Sequence, residues 1–113
     1  MKHKVVLVPF PFDDLSSTKV RPAVCLTEPI GEHKHVVLAF ITSRVPDKPL
    51  STDLVFTETD TDFPSTGLRV SSALQLHRMI TVASNFIVRE LGQLPASKQE
   101  EVEGKLKVLF GIK

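Results

Sequence analysis

The sequence predicts a single, mainly β domain in which several short strands form a small barrel or a strongly curved sheet, closed by one C-terminal helix. Two observations predict it. Short apolar runs separated by turn residues fill the first two-thirds of the chain, and the last segment changes to helical spacing. The chain has 113 residues, which suits one domain over residues 1–113 with a core that needs neither disulfides nor metal.

The predicted strands are short runs rich in β-branched and apolar residues. The first, VVLVPF, is a continuous apolar run, which is typical of a strand covered on both faces. Pro9 and Pro11 cannot donate ladder hydrogen bonds, so this strand ends there or lies at an edge. Loops with acids, hydroxyls and prolines separate the runs. In order, the predicted strands are 5–10, 20–27, 35–43 and 52–57, with at least one more inside 68–82.

The end of the chain has the signals of a helix over 97–110. Ser97 followed by Glu100 forms a capping-box pattern, and Gly111 suits a helix end. Residues at helical spacing predict the face that packs on the sheet: Val102, Leu106, Leu109 and Phe110. The preceding segment, 83–94, is ambiguous, and we expect a short helix that begins at Ser84 and stops at Gly92.

Composition limits the function classes. The net charge of +1 gives no global field that attracts nucleic acid, so an RNA or DNA site must be a local patch. The single cysteine, Cys25, lies in an apolar run and predicts a buried structural thiol in a reducing cytosol. The N-terminal apolar run is too short for a signal peptide and lacks a cleavage site. No stretch is long enough to span a bilayer, so we expect a cytoplasmic protein without a membrane partner.

Several kinds of chemistry lack their motifs. His33 and His35 are two apart, but there is no cysteine cluster or HExxH motif, and a zinc site needs three or four ligands. No GxSxG, Walker or GxGxxG pattern occurs. The acids at 13–14 and 58–62 could bind a divalent cation, although loop capping is the favoured interpretation. We therefore expect no metal and no cofactor.

Basic and hydroxyl residues at strand ends are more informative. Arg21 precedes Pro22, which pushes its backbone towards an extended conformation, and its guanidinium suits phosphate. Thr42 and Ser43 end the most hydrophobic predicted strand, and Arg44 follows at once. Taken separately, each has a structural alternative: an ion pair with a loop aspartate for Arg21, and simple β propensity for Thr42.

Four segments together resemble the MazF/PemK toxin family over nearly the whole chain. They are VVLVPFPFDDLSSTKVRPAVCL, VVLAFITSR, TGLRVSSAL and MITVASNFIVRELGQL. The resemblance implies an SH3-like β-barrel with a C-terminal helix, assembled as a homodimer. It also implies a metal-independent endoribonuclease that cuts single-stranded mRNA at short sequences, leaving 2′,3′-cyclic phosphate and 5′-OH ends. A cognate antitoxin holds such toxins inactive by covering the RNA groove.

The resemblance also assigns residues. The Arg of the Arg-Pro pair and the Thr that ends the third strand are the family's catalytic positions, here Arg21 and Thr42, with Ser43 as the neighbouring hydroxyl. The family's Gly-Asp before the first strand is replaced by His3-Lys4, and a frequent Gln by Arg78. Candidate RNA-binding residues carry an aromatic ring, a cation or an imidazole: Phe10, Phe12, Lys19, Arg44, Arg78 and His77.

Three alternatives stay open at this stage. His77 is a possible general base, but a surface strand position explains it as well. A toxin of the same fold that poisons a protein target, such as DNA gyrase, would need no Arg-Thr pair and would use its C-terminal helix. A catalytically degenerate relative would only bind its antitoxin.

Overall fold

The computed structural model describes residues 1–9 and 19–113. The predictions for Phe10, Phe12, the two loop aspartates and the rest of the β1–β2 connection lie outside the described residues. The described elements are β1 (Lys4–Pro9), β2 (Val20–Cys25), β3 (His35–Thr42), β4 (Asp53–Phe56), β5 (Ser72–Ala83), β6 (Arg89–Gln93) and α1 (Ala96–Phe110). Two 3₁₀ turns, Phe63–Thr66 and Ser84–Phe86, connect them. The four early predicted strands and the strand within 68–82 are confirmed.

The six described strands form one curled antiparallel sheet, a half-barrel, with the order β4-β5-β3-β2-β1-β6. The register of the β3–β5 pair shifts between Ala39 and Phe40, which face Met79 and Gln75. Residues 76–78 are thus inserted in β5 opposite no residue of β3. Such a bulge bends its strand and increases the local twist, which helps the sheet to curl.

Apolar side chains are buried on both faces of the sheet. One core lies between the sheet and α1 and includes Leu54, Leu74 and Val102. The other lies on the opposite face and includes Val8 and Leu38. Successive residues of a strand point to opposite faces, so a strand buried on both sides must be apolar throughout. The prediction that the first strand is covered on both faces is confirmed.

The short helix predicted from Ser84 to Gly92 is wrong. Only Ser84–Phe86 forms a single 3₁₀ turn, and the chain then pairs with β1, with Arg89 opposite Leu7. An isolated short helix is marginal, because its nucleus is costly. The free edge of β1 offers a ladder of main-chain hydrogen bonds instead, and this tertiary pairing decides the conformation.

The predicted capping box at the start of α1 is also wrong. Pro95 is the N-cap residue and Ser97 lies inside the first turn, where no side chain caps the helix. The Gln99 side-chain amide instead donates to the carbonyl oxygen of Leu94 at 2.7 Å. This bond ties the first turn of α1 to the residue that follows β6.

At the other end of α1, the predicted glycine cap is confirmed, but the predicted packing of Phe110 on the sheet is wrong. Gly111 adopts φ 67°, and its N–H donates to the carbonyl oxygen of Val108 at 3.2 Å, as the predicted helix end requires. Val102 is buried, whereas Phe110 is 60% exposed. The buried face of the helix therefore ends before Phe110.

The prediction that Cys25 is buried is confirmed. Cys25 has no exposed surface, and burial raises the pKa of its thiol to about 11. A thiol with such a pKa is almost entirely protonated at neutral pH and is a poor nucleophile. None of the described helices combines the length and apolar character that crossing a membrane requires.

Candidate functional site

The candidate residues lie at one end of the half-barrel. At this end β1 and β3 finish while β2, β5 and β6 begin, because Pro9 pairs with Val20, Thr42 with Ala73, and Leu7 with Arg89. Residues at strand ends are released from the ladder, so their side chains and backbone can face a ligand. Two adjoining clefts open here.

The first cleft has a volume of about 360 Å³. It contains both predicted catalytic residues, Arg21 and Thr42, together with Ser43 and the predicted RNA-binding residues Arg44 and Arg78. Sequence reasoning missed the remaining lining residues. The complete set is Arg21, Phe40, Ile41, Thr42, Ser43, Arg44, Gln75 and Arg78.

The pairing of β2 with β3 brings Arg21 and Thr42 together. Ala23 lies opposite Phe40, and two further residues along each strand lead to Arg21 and Thr42. Side chains alternate with a period of two, so both belong to the face that carries Ala23 and Phe40. Opposite residues of an antiparallel pair have Cβ atoms about 5 Å apart, close enough to act on one phosphate.

The hydroxyl of Thr42 is already oriented by the backbone. The Arg44 N–H donates to Thr42 Oγ1 at 3.1 Å. A hydroxyl has one proton and two lone pairs, so after accepting this bond it still has its own proton to donate. The turn that begins at Thr42 thus presents a hydrogen-bond donor to the first cleft.

The β5 bulge brings Gln75 and Arg78 to the same cleft. In a regular strand, residues three apart point to opposite faces. The three inserted residues of the bulge break this alternation, and both side chains line the first cleft. Regular alternation of side chains along a strand would place Gln75 and Arg78 on opposite faces. Only the register of the folded sheet shows that they line the same cleft.

Two predicted RNA-binding residues lie elsewhere. His77 Nδ1 is 4.0 Å from Oδ1 of the buried carboxylate of Asp53, and His77 lines neither cleft. Lys19 is exposed just before β2 and likewise lines neither cleft. This placement agrees with the alternative interpretation of His77 as a surface strand residue.

The second cleft adjoins the first and has a volume of about 280 Å³. Arg21, Ile41 and Ser43 line both clefts. The second adds Arg69 and Arg89, which sequence reasoning did not select. Apart from the arginines and the serines its lining is apolar: Leu7, Pro22, Ile41, Leu68, Val70 and Leu91, with Gly67 at the wall.

The charge of the two clefts is one-sided. All five arginines of the chain line one cleft or both. In the part of the chain that the structure describes, no Asp or Glu lines either cleft. This is the local positive patch that a binding site for nucleic acid requires on a chain of net charge +1. The use of arginine instead of lysine is the signal that could have selected Arg69 and Arg89 from the sequence.

The acidic loop after β4 has a structural role. Asp60 Oδ2 accepts the N–H of Thr57 at 3.1 Å, which is the turn-capping interpretation of this segment. Within residues 1–9 and 19–113, no three His, Cys, Asp or Glu side chains are grouped closely enough to hold a metal ion.

A curled six-stranded sheet with one C-terminal helix and an arginine-lined end defines a small β protein with a cationic binding site. The chain belongs to the PemK-like, MazF-like toxin family of type II toxin–antitoxin systems, whose sequence model matches residues 2–110. The resemblance of the four sequence segments is thereby confirmed. Among curated protein sequences, none matches the chain.

Solved structures share the fold over the full chain. The Mycobacterium tuberculosis toxin MazF-mt6 has a TM-score of 0.74 at 20% identity, covering 97% of this chain and 98% of that one. An endoribonuclease in complex with its cognate antitoxin, from mycobacterial species, has a TM-score of 0.72 at 11% identity over 100% and 96%. The MazE–MazF structure (Form-II) from Deinococcus radiodurans has a TM-score of 0.68 at 20% identity over 99% and 95%.

Proposed function

We propose that this toxin is a metal-independent endoribonuclease that cleaves single-stranded mRNA at specific short sequences and leaves 2′,3′-cyclic phosphate and 5′-OH ends. One observation carries the proposal. Arg21 and Thr42, which are remote in sequence, line one cleft with Arg44 and Arg78 and without any carboxylate among its described lining residues. Cations and hydroxyl donors in one cleft suit a phosphodiester.

Arg21 stabilises the charge that develops during cleavage. The 2′ oxygen gives its proton to water and bonds to the adjacent phosphorus, the bond from phosphorus to the 5′ oxygen breaks, and the 5′ oxygen takes up a proton from water. The pentacoordinate phosphorus, between bond formation and bond cleavage, carries extra negative charge on its oxygens. Pre-organised donors aimed at such charge supply much of an enzyme's rate enhancement. A guanidinium offers a planar fork of donors that matches phosphate oxygens, so Arg21 acts as an electrostatic stabiliser.

Thr42 and Ser43 position the phosphate. Because the Arg44 N–H occupies one lone pair of Thr42 Oγ1, the Thr42 proton is directed away from that N–H and donates to a phosphate oxygen. Ser43 adds a second hydroxyl to the cleft wall. The cations Arg44 and Arg78 hold the flanking phosphates, which makes the affinity depend on salt.

Sequence preference comes from unstacked bases in the first cleft. Single-stranded RNA exposes the hydrogen-bonding edges of its bases. Gln75 carries both an amide donor and a carbonyl acceptor and lines the cleft beside Arg78, so it reads a base edge. Phe10 and Phe12 stay candidates for stacking, and Lys19 for a phosphate contact.

The proposal includes the partners that the family implies. The toxin works as a cytoplasmic homodimer, and a cognate antitoxin inhibits it by covering the clefts. One structural neighbour is an endoribonuclease in complex with its cognate antitoxin, and another is a MazE–MazF structure. The arginines that line the clefts suit a partner segment that carries acidic side chains.

A second candidate is a toxin that poisons a protein target through α1. Phe110 and Ile112 are each 60% exposed at the end of this helix, where an apolar contact with a target would form. The Arg21–Thr42 cleft has no part in that function, so we favour the ribonuclease.

The deciding experiment incubates the purified protein with a long, diverse RNA in EDTA. We expect cuts at defined sites with 5′-OH ends, which polynucleotide kinase labels without prior phosphatase treatment. Arg21→Ala should lower the rate by about 10²–10³-fold, the typical cost of one transition-state donor. The control is Lys107→Ala, which removes a positive charge from exposed α1.

Two results would contradict the proposal. If the wild-type protein cuts no RNA in a diverse pool, it is not a ribonuclease. Inhibition of gyrase by the same protein would then support the second candidate. Equal cutting by Arg21→Ala would remove Arg21 from the reaction.

A further inference from the structure

Resting on the proposed ribonuclease function, we propose that the second cleft is a separate RNA-binding site for nucleotides that flank the cleaved bond. In this site a base lies on the apolar floor while Arg69 and Arg89 hold the adjoining phosphates. The first cleft then performs the chemistry, and the second fixes the direction in which the strand leaves it.

The two clefts are continuous. Arg21, Ile41 and Ser43 contribute to the lining of both. An RNA strand whose phosphate is held by Arg21 in the first cleft therefore has only to pass Ser43 to enter the second cleft. Because these shared residues join the two clefts, a bound RNA would run from one cleft into the other.

The chemistry of the second cleft suits a nucleotide. Leu68, Val70 and Leu91 give it an apolar surface, and Arg69 and Arg89 give it two exposed cations. Unpaired bases have apolar faces that pack on side chains and on arginine planes, and phosphates pair with guanidinium groups. One nucleotide presents both groups side by side.

Tight packing fixes the backbone segment that carries Arg69 relative to the strand that carries Arg89. Gly67 has φ 72°, and a Cβ there would collide with the carbonyl oxygen of Leu91. Gly92 is pressed in the same way against the carbonyl oxygen of Ser65. The segment that carries Arg69 therefore lies directly on β6, which carries Arg89, and the second cleft has a rigid wall.

A buried hydroxyl supports the same segment. Thr66 is 1% exposed, its Oγ1 donates to the Phe63 carbonyl oxygen at 2.7 Å, and it accepts the N–H of Leu68 at 3.1 Å. The turn that leads to Arg69 is thus held at both ends. A site whose backbone is held before binding loses less entropy when the ligand arrives.

The test measures the binding of 2′-O-methyl RNA, which cannot be cleaved because its 2′ oxygen is blocked. Fluorescence anisotropy would follow oligonucleotides of increasing length over a range of salt concentrations. For a single strand, the logarithm of affinity falls with the logarithm of salt by about 0.7 per phosphate contact. The double variant Arg69→Gln/Arg89→Gln should therefore reduce the slope by about 1.4 for long oligonucleotides, and Lys107→Gln should leave it unchanged.

Cleavage of a long RNA gives a second readout. The double variant should raise KM and leave kcat unchanged, because it removes a contact made equally before and during the reaction. Both arginines are exposed, so the fold should be retained, and thermal unfolding by circular dichroism checks this.

The outcomes separate this inference from the proposed function. If wild-type protein cleaves RNA and the double variant has the wild-type slope and KM, the second site is wrong and the ribonuclease stands. If wild-type protein neither binds nor cleaves RNA, both are wrong. If the double variant keeps its RNA affinity but loses binding to a synthetic peptide of alternating glutamate and leucine, the cleft binds protein and the RNA site is overturned.

Discussion

The cationic side chains of the two halves of the molecule have different surroundings. The cations that line the clefts are arginines, and no described lining residue is acidic. Around the N-terminus and α1, several lysines are paired with glutamates. These pairs are Lys2–Glu103 at 2.8 Å, Lys4–Glu90 at 2.8 Å and Lys105–Glu101 at 3.3 Å.

This difference separates binding from stability. Exposed lysine–carboxylate pairs contribute at most about 1 kcal/mol each and are screened by salt, so they balance charge and keep the surface hydrated. Arginines that are grouped at one end of the sheet give it a local positive potential that a polyanion can use. Substitutions in the clefts should therefore change kinetics, and substitutions under α1 should change the free energy of unfolding.

We expect the largest effect, a loss of cleavage rate, from a substitution in the first cleft. Thr42→Val keeps the shape of the side chain and removes the hydroxyl proton that we assign to the phosphate. We expect the cleavage rate to fall by about 10²–10³-fold, as for the loss of one transition-state donor. Single-turnover cleavage of a defined RNA measures this rate, and the melting temperature should change little because Thr42 lies at the cleft.

Thr42→Ser is the matched control, because it restores the hydroxyl and should recover most of the rate. If valine and serine cleave equally well, the Thr42 hydroxyl has no part in the reaction. The bond from the Arg44 N–H would then be only a turn contact.

The opposite half should show the reverse pattern. Leu94 is 1% exposed and packs in the core that includes Val102 of α1. Leu94→Ala should lower the free energy of unfolding by about 2–5 kcal/mol, since it leaves a cavity beneath the helix. Urea denaturation measures the loss, and cleavage per folded molecule should stay near the wild-type value. A stable Leu94→Ala protein with impaired cleavage would show that the two halves are coupled.

The sequence predicted the elements whose signals are local. The run VVLAFI is apolar at every position, and the structure buries β3 on both faces. Gly111 ends α1 as its missing Cβ allows. The strand β6 was missed because it depends on the free edge of β1, which a reading of residues 83–94 alone does not contain.

The candidate site was predicted less completely. Arg21, Thr42 and Ser43 were selected mainly through the family resemblance, and the structure brings them together in the first cleft. Gln75 was missed because its position depends on the bulge in β5. Arg69 and Arg89, which the second cleft adds, come from separate segments, and no periodic pattern joins them. Distance between residues of different strands is set by register, which composition and spacing do not give.

The smallest expected effect concerns pH and the turn before β1. His3 has φ 72°, and its main chain forms hydrogen bonds with the end of β2 and with the residue that follows β6. Its N–H donates to the Cys25 carbonyl oxygen at 2.8 Å, and its carbonyl oxygen accepts the Leu94 N–H at 3.0 Å. Burial, followed by the charge of Lys2, lowers the pKa of His3 below its ordinary value of 6.5, against the opposing effect of Glu103.

A lowered histidine pKa gives the stability a defined dependence on pH. As the pH falls below about 6.5, the unfolded chain binds a proton at this position before the folded protein does, so the free energy of unfolding decreases until the pH reaches the folded pKa. Above this window His3 is neutral in both states and contributes no pH dependence. His3→Asn removes the titration and suits a positive φ. Urea denaturation at pH 7.5 and pH 5.5 should show a smaller stability difference in His3→Asn than in wild type, and the exposed His33→Asn serves as control. An equal decrease in wild type and His3→Asn would place the pH dependence on another group.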